Sequence, residues 1–384
     1  MGFLKPIPGP RAPQGSLGLD GVVAAALVAV GFATFAFGST RLALGSLLGL
    51  RYSMLLNSVA LSAFFAGRGL SATLSGILYD ARPSAARVLP PAALAAFAAT
   101  LAAMTAYPAP AVLVVLSGVQ GVLSGLAWPL VQTSVAHHSR GSPIVLSVYF
   151  AVGSIGLALG RFAYPSLAYL LGDAGVFAAV APLYLCSAAA LAVGFRRLSL
   201  PRGHGSPLRF AWAWRSLLLN AAGGFNMGVG AQLLFPFLVA HAGLTPRLAA
   251  YALSAGSLLG IPSKVAAGAV AEKLGLRKSL AAISLGSSAS LAGLYAGGLA
   301  SAASAAAFMA FASAVLPVAR LAAYEEGRRL GAPAAVMGAS NTFSNIGSTL
   351  APLAFPVLEH LLPLYSLPLL AASLAAPEAR DSRG

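Results

Sequence analysis

Acidic residues are scarce: Asp and Glu number nine in 384 residues, against 24 Lys and Arg, and charged residues of both signs make up only 9% of the chain. A soluble domain carries roughly 25% charged residues, so a chain this poor in charge and 58% hydrophobic cannot cover a water-facing surface. It belongs in a bilayer as a polytopic membrane protein. The single cysteine, Cys186, excludes an internal disulfide and a cysteine-based zinc site. Polar and apolar residues do not alternate, and Ala, Leu and Gly dominate, so the spans are helices rather than barrel strands, the two structures that satisfy a backbone in lipid. No H-E-x-x-H, Walker loop or Ser/His/Asp set is present. That argues against an enzyme, and no catalytic residue, cofactor or metal is expected. His137 and His138, beside Arg140, read as a solvated interface pair. The formal charge of +15 does not mark a nucleic-acid face, because the bases are not clustered as such a face requires.

Apolar residues come instead in long runs. Measured against the roughly 20 residues needed to cross the hydrocarbon, twelve runs emerge, near residues 21–46, 52–79, 88–107, 109–136, 142–171, 174–194, 216–242, 247–271, 279–299, 301–324, 331–357 and 361–377. The last is the weakest, with Pro363 and Pro368 inside it. Only one connection is long, from Phe195 to Trp214, and it divides the runs into six and six. The expected organisation is a tail over 1–20, a six-helix bundle over 21–194, a central loop over 195–215, a second bundle over 216–377 and a tail over 378–384. The N-terminal tail has prolines where a signal peptide needs its apolar stretch, and reads as retained.

The bases that flank these runs set the orientation. With the N-terminus inside, seventeen fall on the cytoplasmic side, whereas Arg51 and Arg247 alone fall outside. By the positive-inside rule both termini are expected in the cytoplasm of a multi-pass protein of the cell membrane. The basic excess is then a topology signal, with some attraction to anionic lipid headgroups.

One pattern is written twice. GILYDARPSAAR, from Gly76 to Arg87, and GAVAEKLGLRK, from Gly268 to Lys278, each close an apolar run with a glycine four residues before a carboxylate, and the two glycines lie 192 positions apart, half of the chain. Twelve helices as six plus six, a basic central loop and this loop pattern resemble the major facilitator superfamily of secondary transporters. The second copy matches through Gly268, Glu272, Lys273, Gly275, Arg277 and Lys278. The first keeps Gly76, Asp80 and Arg82 but has Ala81 and Pro83 where the family usually has a base and a glycine. Gln120 and Gly121 match the family's R-x-x-Q-G motif, with Ser117 at the arginine position. Gly153, Gly156 and Gly160 are similar to its glycine-rich fifth-helix motif without the Gly-Pro pair, and ASNTFSNIGSTLAP in the eleventh run has the family's general look. The resemblance implies an all-α fold of two pseudo-symmetric six-helix bundles, a small-molecule substrate and a loop contact that latches the cytoplasmic side.

The loop has a physical reading too. Gly76 and Gly268 would let a neighbouring helix approach closely. Asp80 and Glu272, disfavoured at the C-terminal ends of their helices, would need a nearby base or another helix's N-terminus. The alternative is that they are solvated loop charges.

Five bases remain inside the runs: Arg41, Arg68, Arg161, Lys264 and Arg320, whereas all nine acids fall in tails, loops or helix ends. Charges in hydrocarbon are costly and usually face a polar cavity, so the pore is expected to be positive. Arg41 and Arg320, near run ends, are expected to snorkel to the interface. Arg68 is too deep to do so and is expected to face the path. Lys264 and Arg161 either join it or bond backbone carbonyls near Pro262 and Pro165. The amides Asn57, Gln120, Gln132, Asn220, Asn226, Gln232, Asn341 and Asn345, with the five bases, mark every run except the third, sixth, ninth and twelfth, as four outer lipid-facing helices would require. Any single amide can instead be an interhelical hydrogen bond. The stretch from Asn220 to Pro236, rich in glycine, can bend or unwind and offers Asn226 and Gln232 for binding, with packing as the competing reason.

The expectation is alternating access around a midplane site that binds a small anion or anionic metabolite through Arg68 with Lys264, aided by Arg161, Gln120, Asn226 and Gln232. Without membrane carboxylates, a proton relay through Asp or Glu is disfavoured. Efflux of neutral or amphipathic compounds and a transport-inactive sensor or scaffold are the alternatives. A monomer in the lipid bilayer is the expected unit.

Overall fold

The first span starts where Asp20 caps it: its carboxylate accepts the Val22 amide at 3.0 Å and meets the His138 imidazole at 2.5 Å. Burial alone would raise the Asp20 carboxyl, but these partners outweigh it and hold it below its ordinary value. The computed structural model describes residues 20–82, 84–138, 143–198, 211–330 and 333–375; most of the central loop and of both tails lies outside them. Helix α1 (Gly21–Leu44) continues without a break into a π-helical turn, Gly45–Leu50. It is followed by α2 (Met54–Ala81), α3 (Ala85–Ala106), α4 (Pro110–His138) and α5 (Pro143–Gly194). The second part comprises α6 (Trp214–Gly228), α7 (Ala231–Ala240), α8 (Pro246–Leu274), α9 (Leu276–Gly293), α10 (Gly298–Arg329), α11 (Pro333–Leu358) and α12 (Leu367–Ala375).

These elements make twelve passes. Among the described residues nine stretches are long and apolar enough to cross a membrane. Two of them, Val148–Gly194 and Val336–Leu374, each hold two passes, and α2 adds one more. The fifth and sixth passes are the two arms of α5, which folds back at Gly172, where φ is 71° and ψ is 162°. The seventh is α6 and α7 together, interrupted at Val229 and Gly230. The twelfth, although short of α-helix, is extended by the 3₁₀ stretch Glu359–Ser366. Beyond the non-helical Leu361, the last five residues of that stretch and α12 reach about 24 Å at roughly 2.0 and 1.5 Å per residue.

The runs locate the passes but not the helix ends. The first helical rod extends to Leu50 and α10 to Arg329, several residues beyond the expected run ends at 46 and 324. Two interior bases are therefore set deeper than the runs suggest.

Backbone proximity organises the packing. In the first part α1 lies on α5 and α2 on α4; in the second, α6 lies on α11 and α8 on α10. The same pairing of passes, first with fifth and second with fourth, is repeated by the seventh with the eleventh and the eighth with the tenth. Glycine allows each crossing, because with no hydrophobic drive between helices in lipid, close van der Waals contact must hold them. A Cβ on Gly160 would strike the Phe35 carbonyl, one on Gly121 the Phe64 carbonyl, one on Gly224 the Ser344 carbonyl, and one on Gly256 the Ala306 carbonyl. The expected close approach at Gly268 is not made: a Cβ there meets nothing within 4 Å. The halves meet through α2 against α11 and α5 against α8. At the end opposite Asp20, called here the far end, the π turn leans on α7: a Cβ on Gly45 would sit 2.8 Å from the Gln232 carbonyl oxygen, and one on Gly49 2.8 Å from Pro236.

The Gly121→Ala variant is expected to lose about 1–3 kcal/mol of stability, the usual cost of overpacking, read as a fall in the melting temperature of the detergent-purified protein. Gly268→Ala is expected to leave that temperature unchanged or to raise it slightly, since alanine is the better helix former. Equal melting temperatures for Gly121→Ala and wild type would refute so close a crossing of α2 and α4.

Candidate functional site

Arg41 does not snorkel. It is 3% exposed and, because the rod continues through the π turn, lies roughly 12 Å short of the far end. Its guanidinium donates to Gln232 Oε1 at 3.3 Å and to Gln120 Oε1 at 3.2 Å. The guanidinium carbon lies 4.5 Å from the ring centroid of Phe37 and 4.0 Å from that of Phe64. Each acceptor is itself held. Gln120 donates to Thr100 Oγ1 at 3.2 Å and Met104 Sδ at 3.4 Å. Gln232 donates to Asn57 Oδ1 at 2.8 Å, and its carbonyl accepts from Asn57 Nδ2 at 2.9 Å. Gln120 and Gln232 therefore come together, as the sequence suggests, but around Arg41. Dipoles and aromatic faces replace a counter-ion here, and the acceptors come from both halves.

One turn further along α2 from Phe64 stands Arg68, near the middle of the helix. It is half-buried, and no described group accepts a hydrogen bond from it. The charges around it are of its own sign: Arg68 acts electrostatically on Arg41 and on Arg320 of α10, with the Tyr149 hydroxyl also near. Arg320 lies nine residues before the end of α10, not at the interface, and donates to Ser340 Oγ at 2.5 Å. The base of the second half whose charge is felt with that of Arg68 is thus Arg320. Lys264, the expected partner, donates instead to Ser154 Oγ of α5 at 2.6 Å.

Arg161 crosses between the halves in the same way, donating to the Leu253 carbonyl at 3.2 Å and to the Ser257 hydroxyl of α8. Its acceptor is a backbone carbonyl, as one reading allowed, but it is not one released by Pro262. Asn226 is not gathered into the path. Its amide is fully buried between Ser287 of α9 and Ser366 at the start of the twelfth pass, at 3.3 and 2.7 Å, where it ties the seventh pass to two outer helices. A buried amide must be satisfied, and serines on those neighbours do so.

Beside α11, Ser62 donates to the Thr349 carbonyl at 2.8 Å and Thr342 Oγ1 to the Gly69 carbonyl at 3.0 Å. With the contact of the Thr73 and Thr342 hydroxyls, the described hydrogen bonds between the halves therefore run from the far end to somewhat past mid-depth. At the far end Asp173, 8% exposed, accepts from Tyr164 Oη at 2.7 Å, Ser46 Oγ at 2.9 Å and Arg51 at 3.0 Å. It pins the π turn to the bend of α5, a role its loop position did not announce. Among the described residues every ion pair lies toward one end or the other; none is inside.

In the repeated loop pattern, Gly76 and Asp80 belong by their backbone to the last turns of α2 and Arg82 caps that helix, exposed. Glu272 lies in the last turn of α8; Lys273 and Arg277 are exposed. The side chains of Asp80 and Glu272 lie outside the described residues. Gly275, with φ of 86°, ends α8 in a conformation that glycine tolerates best, its amide bonding the Ala271 carbonyl at 3.0 Å. Two grooves on the outside of the bundle lie away from the basic path. One, of about 420 Å³, is apolar and bounded by Leu218, Phe225, Ile346 and Leu350. The other, of about 880 Å³, lies beside Asp20, His138 and Arg196.

The family model described as Major Facilitator Superfamily matches residues 21–352. No curated protein matches by sequence. Among solved structures, an auto-inhibited peptide transporter of the POT family superposes with a TM-score of 0.72 at 14% identity, over 92% of this chain and 95% of the other. The nucleoside transporter NupG does so with a TM-score of 0.66 at 15% identity, over 92% and 99%. These likenesses establish the fold, and the family match covers most of the sequence. The chain is a member of the Major Facilitator Superfamily, a multi-pass secondary transporter and not an enzyme.

Proposed function

We propose that this transporter carries a small anion or anionic metabolite across the cell membrane, by alternating exposure of a site at mid-depth around Arg68. The observation that carries this reading is a half-buried guanidinium midway along α2 with no hydrogen-bond acceptor among the described residues and with bases as its charged neighbours. An unpaired charge at that depth is expensive, and an anionic solute supplies what is missing. Arg320 of the opposite half is the second ligand in this reading, so the substrate would bind both halves at once. Lys264, Arg161, Gln120 and Gln232 are already engaged; the role of Lys264, Arg161 and Gln232 is to hold the halves in register, and that of Gln120 is to hold Arg41. The two solved transporters share the fold only, so the substrate class rests on this chain's own charges.

The end of the bundle that carries Asp20 faces the cytoplasm in this proposal, as the seventeen basic residues expected on that side require. The far end, closed by Arg41, Asn57 and Gln232, then faces outward, and the described state is the one from which solute exchanges with the cell interior.

Two measurements test these statements. Purified protein is heated with nitrate, inorganic phosphate, lactate or succinate, and with a neutral sugar as control. An anion at about a hundred times its dissociation constant should add roughly 2.7 kcal/mol to wild type and nothing to a folded Arg68→Gln variant. Stabilisation of both proteins by neutral compounds alone would replace anion carriage with efflux of uncharged solutes. For orientation, single cysteines in a Cys186→Ser background are exposed to a membrane-impermeant maleimide on intact cells. Tyr52→Cys should react at once, and Arg196→Cys only after permeabilisation; the reverse order would invert the topology.

A further inference from the structure

Arg41 occupies an unusual position between the site and the far-end closure. Its hydrogen bonds reach Gln120 in the first half and Gln232 in the second, so opening the far end must break at least one of them. Gln232 is the second residue of α7, directly beyond the interruption at Val229 and Gly230. It also holds Asn57 of α2, and its carbonyl is packed against Gly45 of the π turn. One glutamine thus gathers three closing contacts, and Arg41 is the only charged member.

The face of α2 beneath Arg41 is continuous with the site. The guanidinium stacks on Phe64, and Arg68 follows Phe64 by four residues, one helical turn on the same face, about 6 Å along the axis. Among the described residues, nothing acidic is hydrogen-bonded or ion-paired to either. The positive charge of Arg68 therefore opposes the positive charge of Arg41 in its closed position. Arg68 is the charge that acts on both Arg41 and Arg320, and no acid among the described residues pairs with any of the three.

We propose that Arg41 is the positioning residue that couples site occupancy to far-end closure: with site 68 positive the closed lock is strained by like charge, and an anion seated there relieves the strain and seals the far end. This rests on the reading that an anion binds at Arg68. A solute with the wrong sign or with none gives no such relief, so the lock would help to select the substrate as well as enclose it.

The coupling can be measured without knowing the substrate, because the charge at position 68 can be set by substitution. Tyr107→Cys and Leu299→Cys place spin labels on exposed far-end positions of the two halves, in a Cys186→Ser background reconstituted into proteoliposomes. Interspin distance distributions then give the fraction that is open at the far end. With Arg41 present, that fraction should fall in the order Arg68, Arg68→Gln, Arg68→Glu, by roughly fivefold or more in the open-to-closed ratio across the series. Arg41→Lys should preserve the order, because it keeps the charge, and Arg41→Gln should abolish it; monodisperse elution and retained melting transitions show that each variant is folded. An open fraction independent of residue 68, or an order that persists in Arg41→Gln, would overturn the proposal. Inorganic phosphate and succinate are added as a separate arm with native Arg68. If the charge series follows the expected order but neither these nor the other anions shift the distances, the coupling stands and the anion reading of the site falls.

Discussion

Buried positive charge with no negative charge to meet it is the constraint on which this structure turns. Five bases lie inside the spans, and none of them forms an ion pair among the described residues. A charge in hydrocarbon that lacks a counter-ion must be surrounded by dipoles. The chain provides them from neighbouring helices: glutamine oxygens and aromatic faces for Arg41, a carbonyl and a hydroxyl for Arg161, single hydroxyls for Lys264 and Arg320. Because many of these acceptors sit across the divide between the halves, the need to solvate the cations also holds the halves together. Arg68 is the exception among the described residues, which is why the proposed site is placed there.

The number of passes, their helical nature and the division into six and six were legible in composition and run length, because bilayer thickness translates directly into residue count. The two-fold repeat was legible in the loops and proves to extend into the packing, where glycines let the first pass cross the fifth and the seventh cross the eleventh. The interruption of the seventh pass was legible as well, since the clustered glycines around Gly228 and Gly230 weaken a helix there. What hydropathy could not show was where helices end. The first rod continues through Gly45–Leu50 and α10 continues past Ala323 to Arg329, so Arg41 and Arg320 lie deeper than runs ending near 46 and 324 suggest. Nor does residue type reveal which way a side chain points. Asn226 and Gln232 lie six residues apart in one pass, yet the intervening break sends one amide toward the outer helices and the other across to the opposite half.

The far end is held by two polar clusters. At the far end Asp173 gathers Tyr164, Ser46 and Arg51, while Gln232 gathers Arg41 and Asn57, so the chain there is bound into the bundle by groups with shared partners. Partly satisfied polar groups are costly in low dielectric, and this network therefore tends to form or break as a unit. The glycine crossings inside each half have no such polar switch. They hold whichever way the halves lean, which suits bodies that rock without deforming.

The guanidinium of Arg68, unpaired among the described residues, also feels the voltage across the bilayer. Displacing one elementary charge through a full 100 mV drop takes roughly 2.3 kcal/mol, and any rocking that shifts Arg68 along the membrane normal takes a share of that work. A seated anion cancels the charge and most of the work with it. In a carrier built this way, membrane potential governs the return of the empty form and leaves the loaded crossing nearly untouched, so the voltage dependence of turnover would report on the half of the cycle in which nothing is carried.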